Sequence, residues 1–198
     1  MNKVLDKIPN AYVREIVALG GILLIITVIV AGVLGAVDGI TADKIADLKV
    51  QKTQEAMQGI IAGGNFEAAD FTDDTGLIQE VYTATVNGEY AGMCFKVSPN
   101  GFSGAIGIIV GISPENQVLG IKIVSSSETS GLGSRADEEE WREQFVGKSG
   151  PLTVQKNVAT GENDIVAISG ATITSRAVTS GVQAALDYAA QHQSEVAQ

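Results

Sequence analysis

The residues best suited to chemistry lie near the C-terminal end, in the run Ser169-Gly170-Ala171-Thr172-Ile173-Thr174-Ser175-Arg176-Ala177-Val178. Four hydroxyl side chains, Ser169, Thr172, Thr174 and Ser175, surround a Gly-Ala pair. Apolar Ile165-Val166-Ala167-Ile168 precedes them, and Val178, Val182, Leu186 and Ala189 then recur at helical spacing. With a strand before it and a helix starting near Thr174 or Ser175, the run reads as a strand-to-helix turn. Backbone N–H groups at such a turn are unpaired, sit at the positive end of the helix dipole and attract phosphate. Gly170 and Ala171 permit close approach, and Thr172, Thr174, Ser175 and Arg176 can add side-chain donors. The plainer alternative is an N-cap, with Thr174 or Ser175 satisfying the helix end. Local chemistry weighs the two evenly, since this turn has neither a GxxxxGK[ST] P-loop nor a GxGxxG pattern.

A second candidate runs from Ser127 to Gly133. It lacks strand periodicity, contains two glycines and reads as a loop, followed by a short helix from Asp137 to Phe145. Trp141 and Phe145 stand one turn apart there, a spacing suited to core packing. Taken alone, Glu128-Thr129-Ser130-Gly131-Leu132-Gly133 is an ordinary glycine loop.

Other chemistries have little to work with. Cys94 is the single cysteine and His192 the single histidine, so an intrachain disulfide and a cysteine metal cluster are both excluded. Cys94 fits a buried strand position, and His192 a solvated helix end. Serine or cysteine triads lack partners.

The elements that must position these residues begin with a membrane segment. Ile16 to Val37 carries no charge over 22 residues, and a helix of that length spans roughly 33 Å. Such a run exceeds the about 7–15 apolar residues of a signal peptide, so a retained anchor is expected. Lys3, Lys7 and Arg14 precede the segment, and Asp38, Asp43 and Asp47 follow it. The positive-inside rule then places residues 1–15 in the cytoplasm and everything after residue 37 outside. Beyond residue 37 the chain has 21 acidic and 10 basic side chains, a formal charge of about −11, which argues against a nucleic-acid partner.

Thr41 or Asp43 can cap a stalk helix over 38–64, which Ala62-Gly63-Gly64-Asn65 stops. The domain proper is expected over 65–198. Its strands are Ile78–Val86 and Glu89–Val97 about Asn87-Gly88, a strong hairpin signal, then Gly104–Ile112 and Gln117–Ser125. Short turns imply an antiparallel meander, and Gly104, Gly107, Gly111 and Gly120 imply bends, bulges or close backbone approach. Two short strands in Leu152–Asn157 and Asp164–Ile168 and a last helix to about Gln191 complete an α+β fold: a membrane helix, then a curved, mainly antiparallel sheet flanked by helices.

Read together, Ser169–Val178 and the earlier segment SETSGLGSRADEEEWREQFVGK, residues 127–148, resemble two motifs of one family and stand in that family's chain order. The first is similar to the S/T-G-A-T flavinylation motif of FMN-binding domains. The second is similar to the E-T-x-G-L-G…W…F-x-G-K signature of the G subunits of Rnf electron-transport complexes and of the related NqrC subunits. The resemblance covers essentially the whole chain, anchor included. It implies FMN joined through its phosphate to a threonine hydroxyl in a phosphodiester made by a separate flavin transferase. Thr172 is the implied acceptor, with Thr174 as fallback. Ser169, Gly170, Ala171 and Ser175 then line the phosphate or cap the helix. Glu128, Thr129, Gly131 and Leu132 lie against the flavin, offering backbone N–H donors and, from Leu132, an apolar contact.

Two positions depart from the pattern. Many family members carry aspartate where this chain has Val166, with Asp164 two residues earlier, and proline where it has Ser130. The resemblance further implies electron transfer among the membrane and peripheral subunits of a complex that couples ferredoxin oxidation and NAD reduction to ion translocation. No turnover by this chain alone and no free small-molecule substrate are expected. The alternatives are an anchored module for noncovalent flavin or a phosphate ligand, and an assembly subunit.

Overall fold

The structure is a computed structural model that describes residues 10–73 and 75–196. Helix α1 runs unbroken from Asn10 to Ile60. No cap interrupts it at residue 41: the Thr41 hydroxyl instead donates back to Val37 O at 2.8 Å, inside the helix. A Thr side chain that can reach the carbonyl one turn earlier is tolerated mid-helix, which is why the expected break does not occur. The chain divides into two compact units, residues 1–48 and 49–198. In the first, α1 is long and apolar enough to cross a membrane, and Ile16 through Val37 expose their apolar side chains all round. Such a surface calls for a lipid solvent. Lys3 and Lys7 lie outside the described residues.

The second unit is built on a five-stranded antiparallel meander in sequence order. Its strands are β1 (Asn65–Ala69), β2 (Ile78–Val86), β3 (Glu89–Val97), β4 (Gly107–Ile112) and β5 (Val118–Ser125). Asn87 and Gly88 both take positive φ, 54° and 87°, as a two-residue turn matched to strand twist requires. Register shifts at Ala84/Thr85, Gly107/Ile108 and Gly111/Ile112 mark bulges that curve the sheet. β4 begins at Gly107, three residues later than expected, because Asn100 and Ala105 pair across a tight turn first.

After β5 the expected single helix is broken into a 3₁₀ turn (Gly133–Asp137), one α-turn, α2 (Glu139–Arg142), and a second 3₁₀ turn (Glu143–Phe145). Trp141 and Phe145 pack edge to face with centroids 5.3 Å apart, and the Trp141 indole N–H donates to Val166 O at 2.8 Å. Short strands β6 (Thr153–Gln155) and β7 (Asp164–Val166) pair in parallel. The last helix, α3 (Thr172–Val196), buries Val178, Val182, Ala185, Leu186 and Ala189. These pack on the sheet face bearing Met93, Phe95, Val97, Ile108, Val110 and Ile112, the main core. The opposite face receives Ala56, Met57 and Ile61 from the end of α1 and the turn after it.

Candidate functional site

The two motifs meet. A cavity of about 320 Å³ opens between the β3–β4 turn, the loop after β5 and the start of α3. Phe102 lines it from the first, Glu128, Thr129, Leu132 and Gly133 from the second, and Gly170 through Thr174 from the third. Its size lies within the about 300–1,000 Å³ of small-molecule sites. Three large apolar side chains gathered here are left open to solvent: Phe102 is 68% exposed, Ile173 55% and Leu132 45%. Exposing three such groups at one mouth is unfavourable unless a ligand or a partner surface covers them.

The helix end supplies the polar counterpart. α3 starts at Thr172, two or three residues earlier than expected, so Thr174 and Ser175 sit inside its first turn and neither is the N-cap. Ser175 is fully buried beneath the turn, where its hydroxyl accepts the Ile168 N–H and donates to Ala171 O, both at 3.0 Å. The first helical bond runs from Ser175 N–H to Ala171 O. The amides of Thr172, Ile173 and Thr174 have no acceptor among the described residues, and they form the positive end of the helix beside the cavity.

The two candidate threonines differ. Thr174 is 1% exposed and its hydroxyl donates to Glu128 Oε2 at 2.5 Å. Thr172 is half-buried on the cavity wall, and its hydroxyl has no hydrogen bond to other described residues. Gly131 takes φ +76°, a conformation that suits glycine, and its N–H donates to Ser134 Oγ at 2.9 Å. Gly131 and Ser169 lie outside the lining, and Ser169 is exposed to solvent. Arg176 lines a different depression, with Leu152, Thr153 and Gln183, and does not face the cavity. Asp164 turns its carboxylate into its own loop, accepting Thr160 N–H, Thr160 Oγ1–H and Gly161 N–H. Those bonds, the Thr160 amide foremost, hold its carboxyl below the ordinary range.

Phe102, Gly133 and Ile173 are lining residues that sequence reasoning missed. An aromatic in the middle of Asn100-Gly101-Phe102-Ser103-Gly104 was the signal for the first. The residues present fit FMN: free amides and a hydroxyl stand where a phosphate would lie, and apolar walls stand where a tricyclic ring would lie.

Residues 101–187, which include the three walls of this cavity, match the FMN-binding domain family. The chain is 36% identical over 185 residues to the G subunit of the Na(+)-translocating ferredoxin:NAD(+) oxidoreductase complex of Acetobacterium woodii, covering 85% of this chain and 89% of that one. It is 34% identical over 166 residues to the G subunit of the proton-translocating ferredoxin:NAD(+) oxidoreductase complex of Clostridium ljungdahlii, covering 83% and 86%. It belongs to the family of these G subunits of ion-translocating oxidoreductase complexes. The crystal structure of Shewanella oneidensis NqrC shares the fold, with TM-score 0.51 at 18% identity over 65% of this chain and 68% of that one.

Proposed function

We propose that this chain is the flavin-carrying electron-transfer subunit of an Rnf-type ferredoxin:NAD oxidoreductase complex, with FMN attached covalently through its phosphate to Thr172. The observation that carries the attachment site is the contrast between the two threonines: the Thr172 hydroxyl is unbonded on the cavity wall, whereas that of Thr174 is buried and bonded to Glu128. Family membership and the FMN-binding domain support the class of cofactor.

The flavin supplies reversible electron uptake and release, and the protein holds it in place. Thr172 tethers the phosphate beside the free amides of α3. Leu132, Ile173 and Phe102 would shield the ring from water, whereas three of the four amides expected to meet its polar edge, those of Glu128, Gly131 and Leu132, are already bonded to Ser126 Oγ, Ser134 Oγ and Thr129 O. A covalent tether suits a domain outside the membrane, where released FMN would be lost. On this reading residues 1–15 are cytoplasmic, 16–37 span the membrane, 38–64 form the stalk and 65–198 the extracytoplasmic flavin domain. A flavin transferase matures the chain, and electrons pass to and from other membrane and peripheral subunits of the complex. The chain turns over no substrate by itself.

The test is fluorescence on a denaturing gel followed by intact mass, after co-expression with a flavin transferase. Yellow-green emission should migrate with the chain. Thr172→Val should lose the FMN mass increment and Thr174→Val should keep it. A dark wild-type band refutes covalent attachment and leaves the anchored noncovalent module; an increment retained in Thr172→Val refutes the acceptor.

A further inference from the structure

Glu128 lies where all three walls of the cavity meet. Its Oε1 accepts the Ser103 N–H of the β3–β4 turn at 2.8 Å, and its Oε2 accepts the Thr174 hydroxyl of α3 at 2.5 Å. The side chain therefore joins segments 25 residues before it and 46 residues after it. Hydrogen bonds to a carboxylate are among the stronger ones in proteins. Two glycines make room for this carboxylate. A Cβ on Gly133 would stand 2.5 Å from Glu128 Oε2 and 2.9 Å from Thr174 Oγ1. A Cβ on Gly101 would stand 2.5 Å from Glu128 Oε1. The carboxylate is held at both ends, so a larger residue at either glycine would have to displace it and break one of these bonds.

We propose that Glu128 is the positioning residue of the flavin cavity: its carboxylate ties the turn carrying Phe102 to the helix carrying Thr172 and Ile173, and so sets the width of the groove. This rests on the flavin reading above and gives the Glu128 side chain a task distinct from contacting the ligand. Glutamine can perform the same task. Its carbonyl accepts the Ser103 N–H, and its amide donates to the Thr174 hydroxyl, which turns from donor to acceptor. Alanine supports neither bond.

The experiment has two arms on the full chain. In the first, amide exchange over residues 99–105 is followed in the flavin-free Thr172→Val protein. Adding Glu128→Ala should remove protection of the Ser103 amide, and adding Glu128→Gln should retain it. In the second, emission anisotropy of the bound flavin is read on the loaded protein. Glu128→Ala should lower it, and Glu128→Gln should match wild type. Thr174→Val should fall toward Glu128→Ala while Thr174→Ser stays at wild type, a pair that decides the matter if Glu128→Ala does not fold. Unchanged exchange and anisotropy in Glu128→Ala overturn the proposal, as does a glutamine variant no better than alanine. If wild type carries no flavin, the flavin reading falls, and the exchange arm alone keeps or overturns the bridge.

Discussion

The two faces of the five-stranded sheet are loaded in opposite ways. The face under α3 is filled with large side chains, Phe95, Ile108, Val110 and Ile112 among them, all inaccessible to solvent. The face under the end of α1 sets small residues, Ala84, Cys94 and the cross-strand pair Gly111 and Gly120, beside a single fully buried large one, Ile109. Ile60 rests on that pair; a Cβ on Gly111 would stand 2.4 Å from its Cγ2, and one on Gly120 would stand 3.6 Å away. Large residues thus fix the helix whose first turn forms one wall of the cavity, whereas the end of α1 is seated at Ile60 by the absence of side chains on two strands.

The contrast can be broken from either side. Phe95→Ala empties the centre of the large-residue face and should cost about 3–5 kcal/mol, read by urea unfolding of the full chain in detergent. The loss should be shared by the cavity, because α3 packs directly on Phe95 through Tyr188. Gly111→Val overfills the other face and should cost about 1–3 kcal/mol. Ile60 is β-branched and stiff, so the way to sharpen the comparison is the double variant Gly111→Val/Ile60→Ala. It should recover part of that loss, and strict additivity would mean that the glycines do not serve Ile60.

The smallest effect concerns charge on the small-residue face. Glu80 accepts from Tyr82 and from Lys96 there. Burial opposes its ionisation, but the Lys96 and Tyr82 hydrogen bonds outweigh this and lower its carboxyl pKa. Burial and Glu80 push the Tyr82 phenol up to about 12. A carboxyl lowered on folding stabilises above its unfolded value, about 4.3, and that contribution is lost as pH falls through the folded value. Wild type and Glu80→Gln should therefore differ at neutral pH and converge in acid below the folded value. A gap that persists there would assign the difference to packing.

What could be read in the sequence follows the same physics. The hairpin at Asn87-Gly88 was legible to the residue because positive φ at both positions leaves little choice of residue type. The glycines at 111 and 120 were legible as bends, bulges or close backbone approach, and a bulge does follow Gly111, but the side chain that rests on them was not, since Ile60 lies far away in the chain. β1 carried no signal: Asn65-Phe66-Glu67-Ala68-Ala69 is a mostly exposed edge strand, formed by pairing with β2 and not by alternation. At the cavity, both motifs were visible and their meeting was expected only by resemblance. The hydroxyls read as caps became a buried brace, Ser175, and a bridge, Thr174, because the helix begins earlier. Arg176 stood as a possible side-chain donor by its neighbours in sequence, but the helix turns it onto another face. Phe102 escaped because a turn predicts backbone shape and says nothing of what gathers around it.

Cys94 gives the small-residue face a use of its own. It is the chain's single thiol, buried in the cluster with Ala56 and Met57, and burial pushes its pKa up to about 12. At neutral pH it should resist alkylation while the end of α1 stays seated. A fragment cut at residue 65 would lose that cover and label readily, whereas one starting at Lys49 would stay silent. The rate of thiol labelling is thus a clock for helix release that needs no introduced probe.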